Sequence, residues 1–217
     1  MTTTIVDQSD IIDTILGADR AAVLADVRDA RPDARRNAQR AFDALFSPTD
    51  DTEFSLSERQ TIAAFAVGLH DESLLWPFYS QRLTEQSGQR AVLTAELTRG
   101  AGNGPFGRYR EAGLAAESTE GGRYRVAAES RSVFGPRLVA AFEHTHLLVF
   151  RPREASPDAL DALLGAGWSV TGIVTLSQLI AYLSFQIRVV HGLAELAADI
   201  TSTDTDTGTD TDKDTDR

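Results

Sequence analysis

The residues of this chain that could transfer protons are concentrated in one short stretch, His70-Asp71-Glu72, with Tyr79 about two helical turns further on. An imidazole beside a carboxylate titrates in the range that is useful for general acid–base catalysis. The pattern therefore makes His70, Glu72 and Tyr79 candidate catalytic residues. The favoured alternative is structural: a histidine at a helix end, followed by two acids in the first turn of the next helix, where negative charge is stabilised.

A second pair of candidates, Arg188 and His191, lies in the very apolar last part of the chain. A guanidinium among apolar residues must meet an anion or leave its charge unsatisfied. Arg188 can therefore pair with Glu143 or bind a substrate carboxylate, and we favour the structural ion pair. His191, one helical turn further on, is a candidate for the same substrate-binding role.

Two more histidines, His144 and His146, are candidates for metal binding only at first sight. Residues two apart point to different sides of a helix, so they do not form the i, i+4 pair that is typical of a helical metal site. A structural role on the surface or at an interface is favoured for both. The sequence predicts no metal and no cofactor.

Composition restricts the chemistry further. The chain has 217 residues, no cysteine and a formal net charge of −11. Because the thiolate is the nucleophile of thiol–disulfide and thiol–peroxide reactions, neither reaction is available to this chain. The acidic balance argues against nucleic acid or an anionic membrane surface as a partner. Abundant aspartate, with Lys213 as the only lysine, fits either salt adaptation or high-GC coding.

Helical periodicity predicts the elements that would position these residues, and the predicted fold class is all-α. Apolar stripes at helical spacing run along the last helix on two sides, which is more than one core face needs. We therefore expect a homo-oligomer assembled through this helix. The expected elements are two or three short helices over residues 9–46, then helices over residues 55–70, 72–86, 89–98, 136–151, 157–165 and 169–196.

Two segments do not fit the helical pattern. Glycines interrupt residues 100–135, which we expect to form a long irregular excursion, and such loops are usually functional covers or disordered. Residues 200–217 are a Thr/Asp-rich tail that we expect to be disordered, which leaves residues 1–199 as a single domain. The N-terminus lacks a signal-peptide pattern, and no run of about 18 apolar residues is present. We therefore exclude a transmembrane helix and expect a cytoplasmic protein.

Several stretches of the chain resemble one family of helical proteins. Residues 57–64 resemble the helix that precedes the active site in the alkylhydroperoxidase D-like, or carboxymuconolactone decarboxylase (CMD), superfamily. Residues 136–152, 158–167 and 181–193 are similar to the C-terminal helices of its peroxidase-related branch. The resemblance implies an alkylhydroperoxidase D-like helical domain with one long irregular loop, which assembles into symmetric oligomers.

The resemblance also implies where a redox site would lie. In redox-active members a glutamate and a histidine serve a Cys-x-x-Cys pair. The family pattern places Gln60 near the glutamate, Glu72 and Leu75 near the two cysteines, and Phe78 or Tyr79 near the histidine. Every redox position is replaced, so thiol-dependent peroxidase activity is not expected.

Three hypotheses about function follow. The first is a non-redox binding protein, or a partner subunit of a related CMD-family protein. The second is a cofactor-free acid–base enzyme of decarboxylase or lyase type, acting on a small organic acid, with His70 and Glu72 as base and acid and Arg188 as the anion anchor. The third is a peroxidase-related oxidoreductase, which rests on resemblance alone and which the missing thiol opposes. Neither nucleic acid nor a membrane is expected as a partner.

Overall fold

A computed structural model describes residues 10–70, 73–83 and 88–207 of the chain. Helices dominate this part, and it contains no β-strand, so the predicted all-α class is confirmed. The described residues divide between two compact units, residues 1–42 with 186–217 and residues 43–185. The specific alkylhydroperoxidase D-like fold and the single domain over residues 1–199 stay predictions.

The first unit begins at a capped helix end. The Asp10 carboxylate accepts hydrogen bonds from the backbone N–H groups of Ile12 and Asp13, at 2.9 and 3.2 Å. Buried Arg28 donates to Asp10 at 2.6 Å and to Asp13 at 3.0 Å, and Arg35 forms ion pairs with both acids. This network ties together three of the unit's helices. Its helices are α1 (Ile11–Leu16), α2 (Ala18–Val23), α3 (Ala25–Asp29), most of α4 (Pro32–Phe46) and the later part of α10 (Val170–Thr207).

The second unit is built around one largely buried helix, α5 (Leu56–Leu69). It also contains α6 (Trp76–Ser80), α7 (Gln89–Gly100), α8 (Ala128–Phe150), α9 (Pro157–Gly165) and the first part of α10, with short 3-10 turns at Ala112–Glu117 and Pro152–Glu154. A capping box between Ser55 and Glu58 starts α5. After its polar start, helix α5 is apolar from Ile62 onward, and it packs against α6, α7 and α8. The rings of Phe65 and Phe142 meet there at 4.5 Å.

Several helix boundaries in the structure differ from the boundaries predicted from the sequence. Helix α6 is shorter than the predicted helix over residues 72–86, because Pro77 is tolerated only in a first turn, and it ends at Ser80. Helix α8 already starts at Ala128 and bends at Gly135, whose φ of 73° suits glycine. The irregular segment is therefore residues 101–127 rather than 100–135. Helix α10 extends to Thr207, into the tail predicted to be disordered, and residues 208–217 lie outside the described residues.

The irregular segment is fixed to the end of α8. Buried Arg151 donates to the Gly121 carbonyl at 2.7 Å and forms a two-pronged ion pair with Glu154, at 2.6 and 2.8 Å. The Phe106 backbone N–H donates to the Phe150 carbonyl at 2.6 Å. A Cβ at position 121 would collide with the Phe106 ring, so only glycine fits there. These contacts hold the segment against α8 without regular secondary structure.

Helix α10 bears on the prediction that the chain has no transmembrane helix. Between Val170 and Thr203 it is long and apolar enough to cross a membrane by length and composition alone, so the exclusion of such a helix from the sequence was too strong. Half of its most apolar stretch is buried inside the protein, as in the core helix of a soluble protein. The structure is therefore consistent with a soluble protein.

Candidate functional site

The predicted catalytic residues lie at the far end of α5 and in α6. His70 ends α5, where its backbone N–H donates to the Val67 carbonyl at 3.1 Å, and its side chain is half-buried. Glu72 lies outside the described residues. Tyr79 is only 1% exposed and packs against Phe46 and Phe78, with ring centroids 5.6 and 5.1 Å apart. Tyr79 is thus part of an aromatic cluster in the core.

The predicted substrate-binding residues, Arg188 and His191, are exposed on α10. They belong to the first unit, whereas His70 and Tyr79 belong to the second. A common acid–base site formed by these residues therefore stays a prediction.

The second unit contains a cavity of about 590 Å³, a size typical of small-molecule sites. Helices α8 and α9 and the end of the irregular segment supply its lining. Several lining positions on the two helices are alanines, whose small side chains leave room. The apolar part of the lining includes Val139, Ala140, Leu147, Ala159 and Ala162.

One charged cluster in the lining is centred on Glu143. Its carboxylate accepts hydrogen bonds from Arg125 at 2.7 Å, from Arg131 at 3.1 Å and from the Val126 backbone N–H at 3.2 Å. The Glu143 side chain is 17% exposed, while the side chains of Arg125 and Arg131 are 72% and 50% exposed. Two exposed cations thus share one largely buried carboxylate at the cavity.

A second charged cluster is centred on Glu154. Arg151 binds this carboxylate through two of its nitrogens, and Arg123 adds a contact at 2.8 Å. The hydrogen bonds from Arg151 hold the pKa of Glu154 below its ordinary value, against the opposing effect of burial. Because Arg151 also binds the Gly121 carbonyl, this cluster serves to anchor the irregular segment.

The cavity differs in charge from the rest of the chain. Four arginines and three carboxylates line it, which gives the lining a formal charge of +1 when its histidines are neutral. The whole chain carries −11. A cationic cavity in so acidic a protein favours an anionic occupant.

His144 is the most unusual residue in the cavity wall. It is 6% exposed, and neither of its ring nitrogens has a hydrogen-bond partner among the described residues. Burial lowers the pKa of His144 below its ordinary value of 6.5, so the ring is neutral at pH 7. A neutral imidazole offers one donor and one acceptor, and a buried polar group without a partner costs about 1–3 kcal/mol. Such groups are rare in native proteins and call for an explanation.

His146 provides the contrast two residues further along α8. Its ring stacks on Tyr124 at 5.0 Å and packs on Phe150 at 4.8 Å. Its Nε2 lies 3.1 Å from the Gly100 carbonyl, which can only accept, so the proton is assigned to Nε2. Burial is the main cause that lowers the pKa of His146. This histidine has a structural role, as the sequence suggested for both.

Sequence reasoning identified the two histidines but missed the arginines. Their signal was the density of arginine around the start of α8, at Arg123 and Arg125 before the helix and at Arg131 within it, which appeared only as part of a glycine-rich segment. Within the described residues, no group of three or more His, Asp or Glu side chains could hold a metal ion.

Comparisons with protein-family models, with curated proteins and with solved structures yield no significant match. The resemblance to the CMD superfamily accordingly stays a prediction. The function is therefore argued from the geometry of the cavity.

Proposed function

We propose that this protein is a non-redox ligand-binding protein, and that its ligand occupies the cavity beside α8 and α9. The observation that carries the proposal is the cavity itself, a space of about 590 Å³ whose lining has a formal charge of +1 in a chain of −11. A space of this size can hold a small molecule, and its charge favours an anionic one.

The frame of the cavity also supports binding. Two packed helices, α8 and α9, form one wall, and rigid elements hold a site more accurately than loops do. The end of the irregular segment, which Arg151 and Glu154 fix in place, completes the lining. The lining combines charged side chains with an apolar part contributed by the two helices.

Three expectations from the sequence, about family, oligomeric state and location, are proposed beside the binding function. They do not support it. We propose that the chain is a cysteine-less member of the CMD superfamily. We also propose that it forms a homo-oligomer through α10, and that it acts in the cytoplasm. The absence of cysteine makes the binding role compatible with the first of these.

The test uses N-phenyl-1-naphthylamine, a neutral probe whose fluorescence rises in apolar pockets. Ala162, an exposed residue of α9 that lines the cavity, is changed to leucine to fill part of the space. The matched control is Ala95→Leu, the same change at an exposed position of α7 that does not line the cavity. We expect saturable binding to the native protein and a loss of about tenfold in affinity in Ala162→Leu, which corresponds to about 1.4 kcal/mol.

The control variant should bind the probe as the native protein does. Two results would contradict the proposal: no saturable binding to the native protein, or equal loss of affinity in both leucine variants. Thermal unfolding of the three proteins would show that the comparison is made between folded states.

A further inference from the structure

We propose that the ligand of this cavity is a small organic monoanion with an apolar body, whose anionic group is bound by Arg125 and Arg131. The inference rests on the proposed binding function and goes beyond it by naming the chemical class of the ligand. It follows from three features of the cavity: the donors at its charged end, the net charge of its lining and the apolar wall.

The first feature is the set of N–H donors on Arg125 and Arg131. A guanidinium carries five N–H groups in a planar fork that matches a carboxylate. Arg125 and Arg131 each donate one hydrogen bond to Glu143, so most of their N–H groups have no partner among the described residues. The Val126 backbone N–H also donates to Glu143. The carboxylate of Glu143 is therefore already satisfied in part, and its two arginines can turn their remaining donors to a second anion.

The formal charge of the lining indicates whether that anion should carry one negative charge or two. With neutral histidines the lining carries a formal charge of +1, from four arginines against Glu143, Glu154 and Asp158. A carboxylate, with one negative charge, neutralises it. A phosphate monoester, with about −1.5 to −2 at pH 7, would leave excess negative charge next to Glu143 and Asp158. A monoanion therefore fits better than a dianion.

The apolar part of the lining indicates the character of the rest of the ligand. Val139, Ala140 and Leu147 of α8 face the cavity together with Ala159 and Ala162 of α9. Apolar ligand surface is favourably buried against them. The ligand thus has a charged end and an apolar body.

The first experiment compares benzoate, benzyl alcohol and phenyl phosphate as competitors of N-phenyl-1-naphthylamine on the full-length native protein. The three share a phenyl ring and differ in charge. We expect benzoate to compete at least about tenfold better than benzyl alcohol, and better than phenyl phosphate. Added salt should weaken benzoate and leave the neutral probe unaffected, because salt screens only the charged contact.

The second experiment replaces the anion-binding pair. In the double variant Arg125→Gln/Arg131→Gln, benzoate should lose its advantage over benzyl alcohol, while the affinity for the neutral probe stays within about twofold. Glutamine still donates to Glu143, which limits the structural damage. The matched control is Arg108→Gln, an exposed arginine that pairs with Glu120 outside the cavity lining and should change nothing.

The inference is overturned if benzoate competes no better than benzyl alcohol, or if the double variant keeps the native preference for benzoate. It is also overturned if phenyl phosphate competes best. These failures are separate from a failure of the binding function. In each of them the neutral probe would still bind to the native protein and would still be weakened by Ala162→Leu.

Discussion

The Tyr124 hydroxyl donates a 2.7 Å hydrogen bond to the Glu96 carboxylate, and both side chains are buried. The same carboxylate accepts from the Ser130 hydroxyl at 2.6 Å and from the Ala127 backbone N–H at 3.2 Å. Because Ala127 has no side-chain acceptor, Glu96 of α7 caps the start of α8 in its place. Burial, aided by the bond to Glu96, raises the pKa of Tyr124 far above its ordinary value of 10.0, so the hydroxyl stays a donor.

Removing this hydroxyl should destabilise the protein. We expect Tyr124→Phe to lower the free energy of unfolding by about 1.5–3 kcal/mol, the range for a hydrogen bond to a charged group. Urea unfolding followed by circular dichroism measures the change. Tyr109→Phe is the control, because the Tyr109 hydroxyl has no hydrogen bond among the described residues. Equal losses in the two variants would contradict the role given to Glu96.

The unpartnered histidine should make the native protein sensitive to acid. Because burial lowers the pKa of His144 in the folded state, the unfolded chain binds a proton first as the pH falls below about 6.5. Stability is therefore retained above pH 6.5 and lost below it, by at most about 1.4 kcal/mol per pH unit for this group. His146, whose pKa is also lowered, contributes in the same direction.

His144→Phe and His144→Leu should reveal this contribution. At pH 8, we expect each variant to be as stable as the native protein or about 1 kcal/mol more stable, since an unmet polar group is removed. Towards pH 5 the advantage of the variants should grow. Urea unfolding at the two pH values measures it, and an advantage that stays constant between pH 8 and pH 5 would argue against a buried neutral His144.

The lack of cysteine makes a prediction about catalysis. Purified protein should not turn over an organic peroxide with a dithiol reductant above the level of a heat-killed control, because no thiolate is present to attack the peroxide. A coupled assay of reductant consumption measures this. Turnover that scales with protein concentration would show a redox chemistry independent of thiols.

Exposed apolar residues on α10 allow a test of the predicted oligomer. Val170, Val174 and Phe185 are 69%, 52% and 47% exposed along this helix. We expect light scattering to give an oligomer for the native protein, and Phe185→Glu to lower the molar mass, because a charge at an apolar interface is costly. Thr94→Glu, at an exposed position of α7, is the control. A native protein that is monomeric at micromolar concentration would refute the interface.

Local signals in the sequence determined where several helices begin. Ser55 and Glu58 form the capping box, Pro157 opens α9, and the Ser169 hydroxyl accepts from the Gly172 N–H at 3.0 Å at the start of α10. These signals act over one turn of helix, so they can be identified without the rest of the fold. The sequence contains no cysteine, so composition alone excludes thiol-dependent chemistry.

The tertiary structure decided what surrounds each side chain. Spacing along α8 separated His144 from His146, yet both line the same cavity, because α9 and the irregular segment cover neighbouring sides of that helix. Glu143 meets Arg125 across 18 positions of sequence, and Glu96 meets Tyr124 across 28. The sequence determined which groups are available, but burial and pairing depend on packing between distant segments, and helical periodicity carries no information about which segment packs on which.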